Sequence, residues 1–264
     1  MSYSKERLKY LKKRKKEKIF VFSMQILLFI AFIFLWELFA RLKIINTFLT
    51  SSPSKIITTL VNLYNTNNLF NHISITVYET ILSFVLSIFI GIVIASILWW
   101  NNLLSKIIDP YLTILNSLPK VALGPIIIIW IGANMNSIIF MALLISSIIS
   151  VITIYNGFKN TDIEKIKLMK SLNATKFQIY TTLILRGNID TIISSLKINI
   201  SMCLIGVIMG ELLVSKEGIG YLIMYGSQVF NLNLVITGIF VLCIVATIMY
   251  YLVCCIEKKL IKVG

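Results

Sequence analysis

The sequence predicts an all-α, polytopic membrane protein with about six transmembrane helices. Three observations predict it: the apolar residues are gathered into long blocks, charge is scarce inside those blocks, and lysine and arginine concentrate in alternate connections. The 264 residues are 58% hydrophobic and 14% charged, against about half apolar and about a quarter charged in soluble globular domains. A helix needs roughly 20 apolar residues to cross a hydrocarbon core of about 30 Å. The length allows several such spans in one domain and leaves little room for a separate soluble one.

The blocks run 19–40, 73–99 with an amphipathic start, 107–131, 137–155, 191–214 and 232–256. The first follows a basic stretch, as a signal peptide does, but its 22 residues exceed a typical signal core and no small-residue cleavage site follows before Glu37 and Arg41. It is therefore read as an uncleaved span. The third block is interrupted by Pro119 and Pro125. Pro119 has no backbone N–H to donate, so a break or kink is expected there.

Orientation follows from the basic residues of the connections. Residues 1–18 carry nine, the connection at Lys106 one, residues 156–190 six, and the tail Lys258, Lys259 and Lys262. Nineteen basic residues thus fall on one side, against Arg41, Lys43, Lys55 and Lys216 on the other. This places both termini in the cytoplasm, as an even number of spans requires. The expected layout is a basic cytoplasmic N-terminus at 1–18, a transmembrane domain at 19–256 and a cytoplasmic tail at 257–264. The N-terminal charge serves as a topology signal and could also attract anionic head groups. The formal net charge of +14 would suggest nucleic acid in a soluble protein. Here its placement between apolar blocks makes the bilayer the partner instead.

No catalytic constellation is present in the sequence. The one histidine, His72, rules out an H-E-x-x-H zinc site, and there is neither a Walker motif nor a G-x-S-x-G elbow. No cofactor is expected. Cys203, Cys243, Cys254 and Cys255 lie inside apolar blocks and read as small apolar filler. Gly206 and Gly210 form a G-x-x-x-G pair, which favours close helix packing.

The long connection at 156–190 carries the sharpest local signals. Asp162 is a candidate N-cap. Ile163, Ile166, Met169 and Leu172 recur at intervals of three and are expected to line one helix face, with Lys165, Lys167 and Lys170 on others. Asn173 is a candidate C-terminal breaker. A second short helix over 175–185 carries Phe177 and Tyr180. Such a helix–turn–helix either lies on the membrane surface or docks a soluble partner.

Four segments then resemble the inner-membrane permeases of binding-protein-dependent ABC importers, of the nitrate, sulfonate, taurine and thiamine-precursor type. They are Leu49–Ile56 around Pro53, Leu118–Gly132 with Pro119, Gly124 and Pro125, Ser171–Tyr180, and Gly210–Ile223 with Glu211, Gly218 and Gly220. They stand in the family's order and spacing, and the resemblance covers about 48–260.

The resemblance implies a permease homodimer, an ABC ATPase on the cytoplasmic side, and an external substrate-binding protein. ATP hydrolysis would belong to the ATPase, with no catalysis in this chain. It also implies that Asp162, Ile163, Ile166, Lys167, Met169, Lys170, Leu172, Asn173, Ala174, Phe177 and Tyr180 form the coupling element. The family's coupling motif is altered: Lys167 stands where it has an acid, Asn173 where it has glycine, and Arg186 where it has proline. Glu79 stands where relatives commonly carry a basic residue.

Ionisable groups within spans are costly and are functional hypotheses by default. Asn116, Ser117, Pro119, Lys120, Asn199 and Glu211 are therefore candidate pathway residues. Lys120 either faces an anionic solute, pairs with a structural acid such as Glu211 or Glu79, or snorkels. Lys197 is expected to reach the interface. The sequence thus reads as an ABC-importer permease for a small solute, anionic or thiamine-precursor-like. The alternative is an ion-gradient-driven secondary transporter using Glu79, Lys120 and Glu211, against which no internal repeat is seen.

Overall fold

The computed structural model describes residues 5–66 and 68–261. The expected basic N-terminus and tail extend beyond these limits at 1–4 and 262–264. Every regular element among the described residues is helical.

Helix α1 (Lys5–Arg41) carries the first apolar block and continues into the basic stretch. Its apolar window is unburied within the chain, so this span presents Phe20, Leu28, Phe32 and Phe34 to its surroundings. At its end Glu37 bonds Arg41 Nε at 2.8 Å and accepts the Ser54 N–H at 3.1 Å. That ties α1 to the start of α3 (Pro53–Asn65), beyond the one-turn α2 (Thr47–Thr50). Ser52 caps α3 and Pro53 opens it, where a missing N–H costs nothing.

Helix α4 (Asn68–Trp100), α7 (Met135–Lys159) and α10 (Ile189–Val214) form the packed centre. Lipid tails are as apolar as leucine, so close packing and buried polar contacts must hold spans together. Both occur here. A Cβ on Gly210 would sit 2.9 Å from the Ile138 Cα, and one on Gly206 would overlap the Ala142 backbone. The G-x-x-x-G pair therefore seats α10 directly on α7. Along α4, Thr76, Thr80, Ser83, Ser87, Gly91 and Ala95 all turn inward, a small-residue stripe at helical spacing.

The third block departs from a straight span. It divides into α5 (Asn102–Ser117), a 3₁₀ turn (Lys120–Leu123) and α6 (Gly124–Ile131), and the two arms meet at 86°. The break falls at Leu118–Pro119, whereas Pro125 stands in the first turn of α6 and initiates it. Lys106, expected in a connection, lies within α5, which starts directly after α4 with Asn101 as its cap. With this bent pair counted as one, the described residues hold up to six helices long and apolar enough to span a membrane.

Helix α8 (Ile163–Ser171) follows α7, and a short α9 (Lys176–Gln178) runs into a π-helical stretch over Ile179–Leu185 before α10. The second short helix expected over 175–185 is thus mostly π-helical. Helix α11 (Ile219–Gln228) and α12 (Leu232–Ile261) pack together against α10. Lys197 Nζ pairs with Glu257 of α12 at 2.7 Å.

Candidate functional site

Three places along the bundle carry the polar groups singled out above. The first is the end of the bundle after α7. Asp162 caps α8 by accepting the Glu164 N–H at 2.9 Å. At the other end Asn173 adopts φ +55°. Its N–H bonds the Lys170 carbonyl and the Ala174 N–H bonds the Met169 carbonyl, which is a Schellman termination. Asn tolerates that left-handed conformation as glycine does. Thr175 and Gln178 then form a reciprocal capping box that starts the next helix.

The expected single apolar face of α8 is not what forms. Ile166 and Met169 pack with Ala174 and Tyr180 against a core of Leu98, Ile154, Phe158 and Ile179. Ile163 and Leu172 are exposed, Leu172 to 73%. The reason is geometric. Steps of three residues fall about 60° short of a full turn at 3.6 residues per turn. Two residues nine apart therefore end on opposite sides. Exposed Leu168 and Phe177 join Ile163 and Leu172, giving a surface of apolar side chains beside exposed Lys165, Lys167 and Lys170.

Tyr180 anchors this unit to α4. Its ring lies among Trp99, Trp100 and Phe158, with centroids 5.4, 6.0 and 6.3 Å away. Its hydroxyl lies 2.5 Å from Ser96 Oγ. Lys176 Nζ donates to the Trp100 carbonyl at 2.5 Å and sits over the Trp100 ring at 5.4 Å.

The second place is the middle of the bundle. Asn199 of α10 accepts from Ser87 Oγ of α4 at 3.0 Å and donates to Ser150 Oγ of α7 at 2.5 Å. One amide thus joins all three central helices.

The third is the opposite end of the bundle, where α10 turns into α11. Glu211 is buried and uses both oxygens. Oε1 accepts from Thr76 Oγ1 at 2.6 Å, and Oε2 accepts the Gly220 N–H at 2.6 Å. Thr76 Oγ1 accepts the Ile219 N–H at 2.8 Å, and His72 Nδ1 accepts the Gly218 N–H at 2.9 Å. The start of α11 is held by α4 and by Glu211. His72, expected in a connection, lies in the first turns of α4.

Lys120 meets neither acid. Its Nζ donates to the Asn116 carbonyl at 3.2 Å, four residues back across the break. Asn116, Ser117 and Pro119 are exposed on the same bent pair. The six candidate pathway residues therefore separate into an exposed group at the Pro119 break and two buried contacts, Asn199 and Glu211, inside the bundle. Sequence reasoning missed Thr76, His72, Ser87, Ser150, Ser96 and Trp99. The spacing of small polar residues along α4 was the available signal for Thr76 and Ser87.

Residues 87–262 match the family described as the inner membrane component of binding-protein-dependent transport systems. The chain belongs to that family. Among its relatives are the putative aliphatic sulfonates transport permease protein SsuC of Bacillus subtilis and the formylaminopyrimidine transport permease protein ThiX of Halalkalibacterium halodurans. The first is 25% identical, covering 86% of this chain and 83% of the relative. The second is 28% identical, covering 74% and 77%.

The fold is shared with a chain of the inward-facing MetNI methionine ABC transporter, at TM-score 0.64 and 15% identity, over 73% of this chain and 95% of that one. It is shared as well with a chain of a bacterial ABC transporter that imports alginate, at TM-score 0.63 and 15% identity, over 95% and 99%. The protein is thus a multi-pass inner-membrane permease subunit of an ABC importer. Family membership selects the ATP-driven reading over the gradient-driven one. The matched region runs from the middle of α4 through α12, and so contains the π-helical stretch, the Asn199 junction and Glu211 with Gly220, whereas Thr76 and His72 lie before it.

Proposed function

We propose that this permease forms, as a homodimer, the pathway for a small solute handed over by an external binding protein, and that α8 with Phe177 docks a separate cytoplasmic ATPase. The observation that carries the reading is the construction of α8. Ile166, Met169, Ala174 and Tyr180 fasten the unit to the bundle, while Ile163, Leu168, Leu172 and Phe177 remain exposed. An amphipathic helix on a groove is a recurrent mode of docking. Closure of the ATPases would push α8, and the Tyr180 anchor would pass that push to α4 at Trp99, Trp100 and Ser96. Alternating exposure of the pathway is then a rigid-body movement of packed helices.

Both termini are placed in the cytoplasm by the lysine and arginine distribution, which puts α8 on the ATPase side and the Glu211 contacts on the outer side. The bent pair α5–α6 presents Asn116, Ser117, Pro119 and Lys120, with exposed Ile129 and Trp130, as the surface that faces the pathway and the second copy. Irregular backbone at membrane depth belongs where it lines a cavity or is covered by protein. The relatives named for sulfonates and for formylaminopyrimidine suggest a small polar solute.

The test is co-purification in mild detergent of the native chain and of a Leu168→Asp/Leu172→Asp variant. Both positions are exposed, so the variant keeps its fold, and it is expected to lose the ATPase. A folded native chain that retains no ATPase would overturn the docking reading.

A further inference from the structure

At the end of the bundle that carries α8, a cavity of about 420 Å³ opens between the last turn of α4, the first turn of α5 and the α8–α9 unit. Its lining includes Trp99, Asn102, Ile166, Lys170, Lys176 and Ile179. Lys170 follows Ile166 by four residues, which sets the two side by side on α8. It therefore flanks the face that α8 turns to the bundle, while Leu168 and Leu172 look outward. Lys176 is held in place: its Nζ donates to the Trp100 carbonyl at 2.5 Å and stands 5.9 and 5.4 Å from the Trp99 and Trp100 ring centroids. A lysine ammonium carries three N–H donors, so two remain. No acidic side chain lines the cavity, and neither lysine forms a salt bridge among the described residues. Two ammonium groups thus share one cavity without a counter-charge. Like-charge repulsion disfavours that arrangement, and a bound anion relieves it.

We propose that this cavity binds the phosphate of an anionic phospholipid of the cytoplasmic leaflet, between Lys170 and Lys176. The inference rests on the orientation proposed above, which puts this end of the bundle on the cytoplasmic side, and adds a lipid partner to it. Trp99 and Trp100 close the apolar run of α4, and tryptophan collects at the level of the lipid head groups. The cavity therefore stands at head-group depth. Apolar surface for the acyl chains adjoins it along the chain, with Ile97 of α4 50% exposed and Leu103 of α5 71% exposed. Basic pockets between spans on the cytoplasmic side select anionic head groups. Charge-assisted hydrogen bonds from ammonium to phosphate are the strong kind. A carboxylate of the docked ATPase fits less well, because the outward face of α8 at Leu168 and Leu172 points away from the cavity. A phosphate held here joins the α8–α9 unit to the start of α5.

The experiment uses the full chain in mild detergent, alone and with its ATPase. Native mass spectrometry counts the lipid bound to the permease, beside thermal unfolding. The probes are phosphatidylglycerol, phosphatidylcholine and inorganic phosphate. Phosphatidylglycerol is expected to be retained in both preparations and to raise the unfolding temperature. Phosphatidylcholine should do neither, and inorganic phosphate at matched concentration should not displace the bound lipid. Lys170→Gln/Lys176→Gln should weaken retention at least about tenfold, as the loss of hydrogen bonds to a charged group does. Lys170→Arg/Lys176→Arg should keep it, as should Lys258→Gln, which removes a charge outside the cavity. If the double Gln variant does not fold, the lipid preference of the native chain decides alone. Equal retention of the two lipids, displacement by inorganic phosphate, or release of the lipid when the ATPase binds would overturn the proposal. So would unchanged retention in the double Gln variant. Failure of the ATPase to co-purify would count against the docking reading, while the lipid count stays readable on the permease itself.

Discussion

Thr76 Oγ1 and Glu211 Oε1 lie 2.6 Å apart across 135 residues of sequence, and this contact binds α4 to the turn between α10 and α11. Glu211 also accepts the Gly220 N–H, and Gly218 holds φ +105° beside the same carboxylate. Removing the acceptor leaves the buried Gly220 N–H unpaired, at about 1–3 kcal/mol, and leaves the Thr76 hydroxyl only the His72 carbonyl, 3.1 Å away. Glu211→Ala is expected to lower the unfolding temperature in detergent strongly. Gly220→Ala should do so as well, because a Cβ there would lie 2.7 Å from the Glu211 Cβ. Scanning fluorimetry of both variants checks the pair, and native-like unfolding of either would show that the contact does not hold this turn.

Close approach of α7 and α10 makes a sharp contrast between two glycines. Gly206→Val is expected to separate the helices at Ala142 and cost at least about 3 kcal/mol, as overpacking of a tight contact does at its upper range. Gly187 has open space where its Cβ would be and a helical backbone. Gly187→Ala is expected to stabilise by about 0.4–1 kcal/mol. Thermal unfolding of the two variants side by side reads the difference.

Tyr180 separates anchoring from docking. Tyr180→Phe keeps the ring among Trp99, Trp100 and Phe158 and loses only the contact with Ser96, at about 1 kcal/mol. Tyr180→Ala empties the aromatic cluster and, because the ring is half-buried, is expected to cost less than the about 3–5 kcal/mol of a fully buried aromatic truncation. The expected outcome for Tyr180→Phe is retained ATPase binding with reduced solute uptake per ATP hydrolysed, measured in reconstituted vesicles. Unchanged coupling would remove Tyr180 from the transmission route.

Lys167 stands where the family motif carries an acid, beside exposed Lys165 and Lys170. An acidic groove on the partner ATPase is the expected complement. Lys167→Glu should then weaken ATPase co-purification, with the larger effect at low ionic strength, where surface charges are least screened. A salt-independent result would mean that apolar contacts alone hold the pair.

Much of this protein was legible in the sequence. The apolar blocks, the break at Pro119, the caps at Asp162 and Asn173 and the packing glycines were all readable, because each depends on a local property: apolar length, a missing N–H, a short polar side chain near a backbone group, a missing Cβ. The family resemblance was equally readable, since its four segments are short and contiguous.

The partners of the buried polar groups were not legible. Lys120 turned back to the Asn116 carbonyl instead of pairing with an acid, Lys197 found Glu257, and Asn199 joined Ser87 and Ser150. The apolar stripe of α8 divided because a spacing of three drifts around a helix, and only the place where α8 meets Tyr180 and Phe158 sets which part is covered. By itself the sequence determined which segments are helical and apolar enough to span a membrane. Only the tertiary structure decided which faces meet and which charges find partners. Local chain chemistry acts within a few residues, whereas a buried hydrogen bond depends on which distant helix the fold brings within about 3 Å.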